Sequence, residues 1–302
     1  VESIVAATDL TDSDLPSLRY ARLLARRFSA KLTVIYSEPV VYPVNFIGPA
    51  EAFFVDATPE HIAELRSVVD KHVRPPLGDG PFEIHVTIGP PVPAILLGAN
   101  EVEADLIVMG THGRRGWRRA FFGSVSDGVI HGSRCPVLVV GRETPAVAAA
   151  PVEVTKVLCP VNFTEASRDA LLVAARMTNA FAAHLTVAHV VEQSEVSDRA
   201  ADEEKVRQWV GSDVQGISSW RELVLRGGAA ERVLDCADDI GADLIVVGAQ
   251  HRRFRDVTVI GTTTERIIRF ASAPVLIVPR EAITREQTPD QEAELAAAER
   301  SS

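Results

Sequence analysis

IVAATDLTDSDLPSLRYARLLARRFSAKLTV (residues 4–34) and VLCPVNFTEASRDALLVAARMTNAFAAHLTV (residues 157–187) align without a gap at a constant offset of 153. Further along, DLIVMGTHG from Asp105 matches DLIVVGAQH from Asp243, and CPVLVV from Cys135 matches APVLIV from Ala273, both at an offset of 138. A chain that repeats itself over this span is an internal duplication, in which each copy has to fold as a unit. The offset falls from 153 to 138 because the first copy carries 15 additional residues between about Tyr36 and Ile88. The first domain is expected at residues 1–142 and the second at 154–280, joined by a linker of small residues and proline at 143–153 and followed by a polar tail at 281–302. A length of 302 residues agrees with two cores rather than one.

Each copy reads strand, helix, strand, then helix, strand, loop, helix, strand. Residues 4–7 form a short apolar strand, after which Thr11 offers an N-cap with Asp14 three residues on. Leu15, Leu18, Ala21, Ala25 and Phe28 recur at helical spacing, and Leu171, Ala174, Met177 and Phe181 repeat that face in the second copy. Second strands are expected at 32–35 and 185–188, and third strands at 83–88 and 222–225. Gly89 and Gly227 then lead into helices with apolar faces at Val92, Ile95, Ala99 and at Val233, Leu234, Ala237. The uninterrupted apolar runs at 106–109 and 244–247 suit strands buried on both faces. Strands alternating with helices in this way imply right-handed crossovers and a parallel sheet, so the fold class is α/β, twice.

Composition narrows the function classes. With 46% hydrophobic and 24% charged residues the chain has enough apolar surface to fold, and no run approaches the ~20 apolar residues of a membrane span. The net charge of −10 disfavours nucleic acid, whose phosphates repel an acidic surface. Cys135, Cys159 and Cys236 are odd in number and set among apolar residues, as reduced core cysteines are. With no charged-then-apolar leader, a cytoplasmic location is the expectation.

The chemistry concentrates in GTHGRRGWRRAFFGSVS, residues 110–126, where Gly110, Gly113 and Gly123 punctuate a loop and Ser124 opens the last helix of the copy. Glycine is needed where backbone approaches a phosphate closely or takes positive φ. A helix that starts there turns free N–H groups and the positive end of its dipole toward an anion. Arg114, Arg115, Arg118 and Arg119 reverse the acidic sign of the chain locally and suit a triphosphate, although arginines on a solvated loop would read the same. Asp9 ends the first strand and Gly110 the fourth. If these strands flank the point where strand order reverses, both loops open onto one crevice, where Asp9 meets ribose hydroxyls or a divalent cation on the phosphates. A plain turn residue accounts for Asp9 equally well.

Gly110, Gly113, Gly123 and Ser124 satisfy G-x2-G-x9-G-[S/T], and with ATDLTDSD, ADLIVMGTHG and GSVSDGVIHGSRCPVLVV the chain resembles the universal stress protein family in a tandem, two-domain form. The resemblance implies two Rossmann-like domains, each a five-stranded parallel sheet of order 3-2-1-4-5 with helices on both faces. It implies ATP as ligand, with Mg²⁺ or Mn²⁺, adenine lying against the first, second and fourth strands, and phosphates in the glycine loop. Carried onto this sequence, the binding residues are Ala7, Asp9, Val34, Met109, Gly110, Gly113, Gly123, Ser124, Val125 and Ser126, with Asp9 the candidate metal contact. It also implies pairing of the copies through the final strands, at 137–140 and 275–278, so that the chain is its own pseudo-dimer; association of two chains is left open. Ala7 departs from the family, where proline is common.

The second copy departs further. Asn162 replaces Asp9 and His251 replaces Gly113, while Gly248, Gly261 and Thr262 remain. Asparagine brings no charge to a metal, and a Cβ at 251 costs about 1–2 kcal/mol if that residue has to take positive φ. A second site at Asn162, Gly248, Gly261 and Thr262 is therefore expected to be weak or absent. The functional expectation is an ATP-binding sensor or switch in a stress response. A nucleotide-independent interaction module is the alternative, and a slow ATP hydrolase is disfavoured because no general base is evident. No G-x4-G-K-[S/T] loop, nucleophile elbow or metal-spaced histidine set occurs, and His184 and His189 read as strand histidines. The apolar segment at 40–59 suits a cover over the nucleotide, a partner surface or simple packing on its own domain.

Overall fold

The structure, a computed structural model, describes residues 1–39, 58–111, 123–141, 153–191, 198–211, 217, 219–252 and 257–280. The apolar segment expected to cover the site and the polar tail lie largely or wholly outside these residues. The first copy runs β1 (Ser3–Thr8), α1 (Leu15–Phe28), β2 (Lys31–Glu38), α2 (Pro59–Leu77), β3 (Glu83–Ile88), α3 (Pro91–Glu101), β4 (Leu106–Gly110), α4 (Ser124–Gly132) and β5 (Val137–Val140). The second runs β6 (Lys156–Val161), α5 (Glu165–Phe181), β7 (His184–Val191), α6 (Arg199–Val210), β8 (Trp220–Arg226), α7 (Ala229–Ile240), β9 (Leu244–Arg252), β10 (Val257–Val259), α8 (Thr262–Phe270) and β11 (Val275–Pro279). Among the described residues no helix is long and apolar enough to cross a membrane.

The sheet order is β3-β2-β1-β4-β5-β11-β9-β6-β7-β8, so each copy has the parallel 3-2-1-4-5 order and the two half-sheets form one surface. They join through β5 and β11, which pair antiparallel with Val137 on Ile277, Leu138 on Leu276 and Val139 on Val275. Because the copies differ by 138 residues here, Leu138 faces its own counterpart and a local pseudo-two-fold axis passes between them.

The central strands β1, β2, β4, β5, β6 and β11 are buried on both faces, so alternate residues enter different cores. Ala6, Leu18, Val34, Leu138 and Leu276 pack on the face with α1 and α5, whereas Ala7, Ile35, Met109, Val247 and Ile267 pack on the face with α3, α4, α7 and α8. Both cores cross the seam. The start of each first strand is held by the aspartate of the DLIV repeat. Asp105 accepts from Ser3 N–H at 3.1 Å, and Asp243 accepts from Thr155 and Lys156 N–H at 2.8 and 2.9 Å.

The copies differ where their first helices begin. Thr164 caps α5 in a reciprocal capping box with Ser167. Thr11, expected to do the same, does not, because α1 starts at Leu15 with Asp14 at its N-cap and no side-chain cap bond. The Asp14 carboxylate is engaged elsewhere. Copy two differs again after its fourth strand. β9 runs on to Arg252 and folds back through β10, with Val257 on Arg252, Thr258 on His251 and Val259 on Gln250. This hairpin packs against α4 of the first copy.

Candidate functional site

β1 lies between β2 and β4, so strand order reverses between β1 and β4, and their C-terminal ends open a crevice of the kind that binds ligands in such sheets. β1 ends on Thr8 and the chain then turns sharply, because Leu10 takes φ 61°, a left-handed conformation that costs a leucine about 1–2 kcal/mol. Phe163, its counterpart, repeats this at φ 60°. Strain kept at the same place in both copies shapes the edge of the crevice. Asp9 projects from that turn and its Oδ1 accepts from Thr11 N–H and Oγ1, at 3.1 and 2.7 Å.

Behind Asp9 lies a carboxylate whose part in the site the sequence did not disclose. Asp14 has a side chain only 5% exposed, and its Oδ2 accepts from the Thr8 hydroxyl and from Asp9 N–H at 3.1 Å. Its Oδ1 meets His72 Nε2 of α2 at 2.9 Å. Burial pushes the Asp14 carboxyl above the ordinary carboxylate range, and the bonds to Thr8 and His72 oppose that rise. Asp14 is a positioning residue that fixes the backbone from which Asp9 projects. Nothing local signals this pairing, since 58 residues separate Asp14 from His72.

On the other side of the crevice, Ser126 Oγ donates to Gly110 O at 2.8 Å and Gly123 N–H donates to Thr111 O at 3.0 Å. A Cβ on Gly123 would stand 2.9 Å from Thr111 O, so close backbone approach excludes a side chain there. One on Gly110 would make ordinary contact at 3.5 Å, so Gly110 leaves open a space that packing would allow to be filled.

Ala7, Met109 and Val125 pack in one core, the bonds above tie Gly123 and Ser126 at the start of α4 to Thr111 and Gly110 at the end of β4, and Asp9 follows the neighbouring strand β1. Val34 does not join that core. It is wholly buried with Ala6 and Leu18 in the opposite core, and Ile35 is the β2 residue that shares the face of Ala7 and Met109. Gly113 and the four loop arginines lie outside the described residues.

In the second copy Asn162, Gly248, Gly261 and Thr262 come together around a cavity of about 350 Å³. Asn162 Oδ1 accepts from Thr164 Oγ1 at 2.7 Å, and Ser167, standing where the first copy has Asp14, meets Asn162 N–H at 3.4 Å. Gly248 is more constrained than Gly110, because a Cβ there would lie 2.0 Å from Ala166 O. The strain expected at His251 does not arise: this residue is part of β9 and pairs with Thr258.

The profile of the Usp, or universal stress protein, family matches residues 1–141 and again residues 153–279. The chain belongs to the universal stress protein family. A universal stress protein of Methanocaldococcus jannaschii is 37% identical over 144 residues, which cover 47% of this chain and 82% of that one. One from Mycobacterium tuberculosis is 26% identical over 219 residues, covering 68% of this chain and 71% of the other. A solved universal stress protein from Archaeoglobus fulgidus superposes with a TM-score of 0.71 over 92% of this chain and 98% of its own, at 21% identity, and shares the fold.

Other side chains of this universal stress protein have structural roles. His189 Nδ1 bonds Val161 O at 2.9 Å and its ring stacks near Phe163 at 4.3 Å between centroids. Cys135, Cys159 and Cys236 form no disulfide among the described residues, and burial pushes the Cys159 thiol up to about 12.

Proposed function

We propose that the first copy binds ATP and that the protein works as a nucleotide-dependent sensor or switch in a stress response. The observation that carries this reading is the meeting of three chain segments at one crevice: Asp9 after β1, Gly110 at the end of β4, and Gly123–Ser126 at the start of α4, tied by the 2.8 Å bond from Ser126 to Gly110. The free N–H groups of the first turn of α4 and the positive end of its dipole favour phosphate. Ala7 and Met109 offer an apolar floor for adenine, with Ile35 as the contribution of β2, and Asp9 suits the ribose hydroxyls.

Among the described residues no group of three or more His, Cys, Asp or Glu forms a metal site. Mg²⁺ or Mn²⁺ would therefore arrive on the phosphates, neutralising their charge, with Asp9 as its protein contact. Membership of the family supports the stress-response part of the reading; the crevice supports the nucleotide part.

The test is to denature freshly purified protein, identify any nucleotide released, and titrate stripped protein with MgATP beside Asp9→Ala and Gly113→Val variants. Binding weakened about tenfold or more in both variants is the expected result. No released nucleotide, together with no MgATP binding by the wild type, would sink the reading and leave a nucleotide-independent interaction module.

A further inference from the structure

We infer that His72 is a positioning residue that ties the nucleotide site of the first copy to α2, so that occupancy of the crevice and the seating of that helix are coupled. The inference rests on the nucleotide reading of the first copy and names the element that responds to it.

The turn after the first strand holds a left-handed, non-glycine residue in both copies, Leu10 and Phe163, and such a turn has to be restrained. The copies restrain it differently. In the second the restraint is local: Ser167 Oγ lies 3.4 Å from Asn162 N–H and 3.2 Å from Thr164 N–H, and Thr164 Oγ1 accepts from Ser167 N–H at 3.3 Å. A serine has one side-chain oxygen, and here it is spent within the entry to its own helix. Asp14, at the same position in the first copy, has two. Oδ2 accepts from the Thr8 hydroxyl and Asp9 N–H, which leaves Oδ1 for His72 Nε2 at 2.9 Å. The restraint on Asp9 therefore passes through one carboxylate to a different helix.

The fold does not require this pair. Buried Val69 and Val73 of α2 are matched by Val206 and Val210 of α6, an offset of 137 that sets Trp209 where His72 stands. Trp209 packs edge-on against Phe163 with 5.6 Å between ring centroids, and the Arg168 guanidinium lies over it at 4.7 Å. An aromatic contact thus takes the place of the pair in the second copy. The side chains of Asp14 and His72 are only 5% and 18% exposed, and a pair withdrawn from water to that degree adds little stability over an apolar contact. What the pair supplies instead is a hydrogen-bonded connection from α2 to Asp9 N–H.

α2 also distinguishes the copies. It has 19 residues against 12 in α6, within the span where the first copy carries 15 additional residues. The helix tied to the nucleotide turn is therefore the one that the first copy extends. Coupling of this kind is reciprocal: whatever the His72–Asp14 contact contributes to holding Asp9 for a nucleotide, a bound nucleotide returns to the seating of α2.

The experiment takes the full-length protein, stripped of nucleotide, through calorimetric titration with MgATP and through hydrogen exchange of the α2 amides with and without saturating MgATP. His72→Leu removes the bond, and His72→Gln keeps a donor of similar reach. Asp14→Ser leaves an acceptor for Asp9 N–H, as Ser167 is for Asn162, but falls short of α2. His72→Leu and Asp14→Ser should each weaken MgATP about fivefold or more, and the double variant should stay within about twofold of Asp14→Ser. His72→Gln should stay within about twofold of the wild type. MgATP should slow α2 exchange about fivefold or more in the wild type and His72→Gln, and this slowing should vanish in His72→Leu and Asp14→Ser. Without nucleotide, exchange in α6 should be the same in every form, which separates lost coupling from general loosening. Unchanged MgATP affinity in His72→Leu overturns the inference. So does α2 exchange in the wild type that ignores MgATP, or a double variant whose loss is the product of the two single losses. If the wild type binds no MgATP, the first-copy reading fails and the inference falls with it. Asp14→Ser carries the test if His72→Leu does not fold, since the second copy folds with serine at that position.

Discussion

Leu138 of β5 pairs with Leu276 of β11 across the antiparallel seam, and each is the other's counterpart in the duplicated sequence. Both are buried in a core that also holds residues of α1 and α5. The last strands of two parallel half-sheets therefore leave no exposed edge between the copies, and what would be a dimer interface in separate chains is an internal one here.

The seam should couple the stability of the two copies. Leu138→Ala and Leu276→Ala are each expected to cost about 2–5 kcal/mol, as truncation of a buried leucine does. In a double-mutant cycle by urea denaturation their effects should fail to add by at least about 0.5 kcal/mol. Strict additivity would show that the two side chains do not share a packed site.

Asp14 holds the Asp9 end of β1 in place. Asp14→Ala leaves the Thr8 hydroxyl and Asp9 N–H without that acceptor, at an expected cost of about 2–3 kcal/mol, and should weaken MgATP binding. Asp14→Asn retains an acceptor oxygen, and burial already disfavours the charge that it removes, so it should be the milder change. Equal losses from both, measured by denaturation and titration, would contradict the positioning role.

Glu103 follows α3 at φ 50°, whereas its counterpart Gly241 caps α7 at φ 61°. A glycine meets this left-handed conformation without a Cβ penalty. Glu103→Gly is expected to raise stability by up to about 1 kcal/mol, despite the greater freedom glycine gives the unfolded chain. A lower denaturation midpoint in the variant would refute that balance.

Burial and the neighbouring Glu165 push the Asp169 carboxyl from an ordinary 3.8 to about 6, against the opposing pull of Arg280. Between those values the folded state holds a proton that the unfolded state has released, so stability falls as pH rises through this window. Asp169→Asn cannot ionise and should remove that part of the fall. Its stability relative to wild type should climb from about pH 4 to pH 6 and level off above. Denaturation curves with a constant difference across the range would show that Asp169 titrates normally.

Much of this architecture was legible in the residues. The ungapped match from Ile4 onto Val157 marks the duplication, and runs with apolar residues at nearly every position, such as 106–109, suit strands inside a sheet covered on both faces. The same property hid the error at Val34. Where every position is apolar, period-2 alternation leaves no mark, and only the register of β2 on β1 assigns Val34 to one core and Ile35 to the other.

The sequence by itself determined the duplicated α/β fold, the strand-ending Asp9 and the glycine pattern that opens α4, because these depend on local periodicity, backbone geometry and short spacing. Tertiary structure decided what surrounds them. It brought His72 of α2 onto Asp14, turned part of the segment after the fourth strand of the second copy into a hairpin, and left a cavity over Ala188. Each of these depends on contacts between residues far apart in the chain, where a side chain's partners follow from packing and register rather than from its neighbours in sequence.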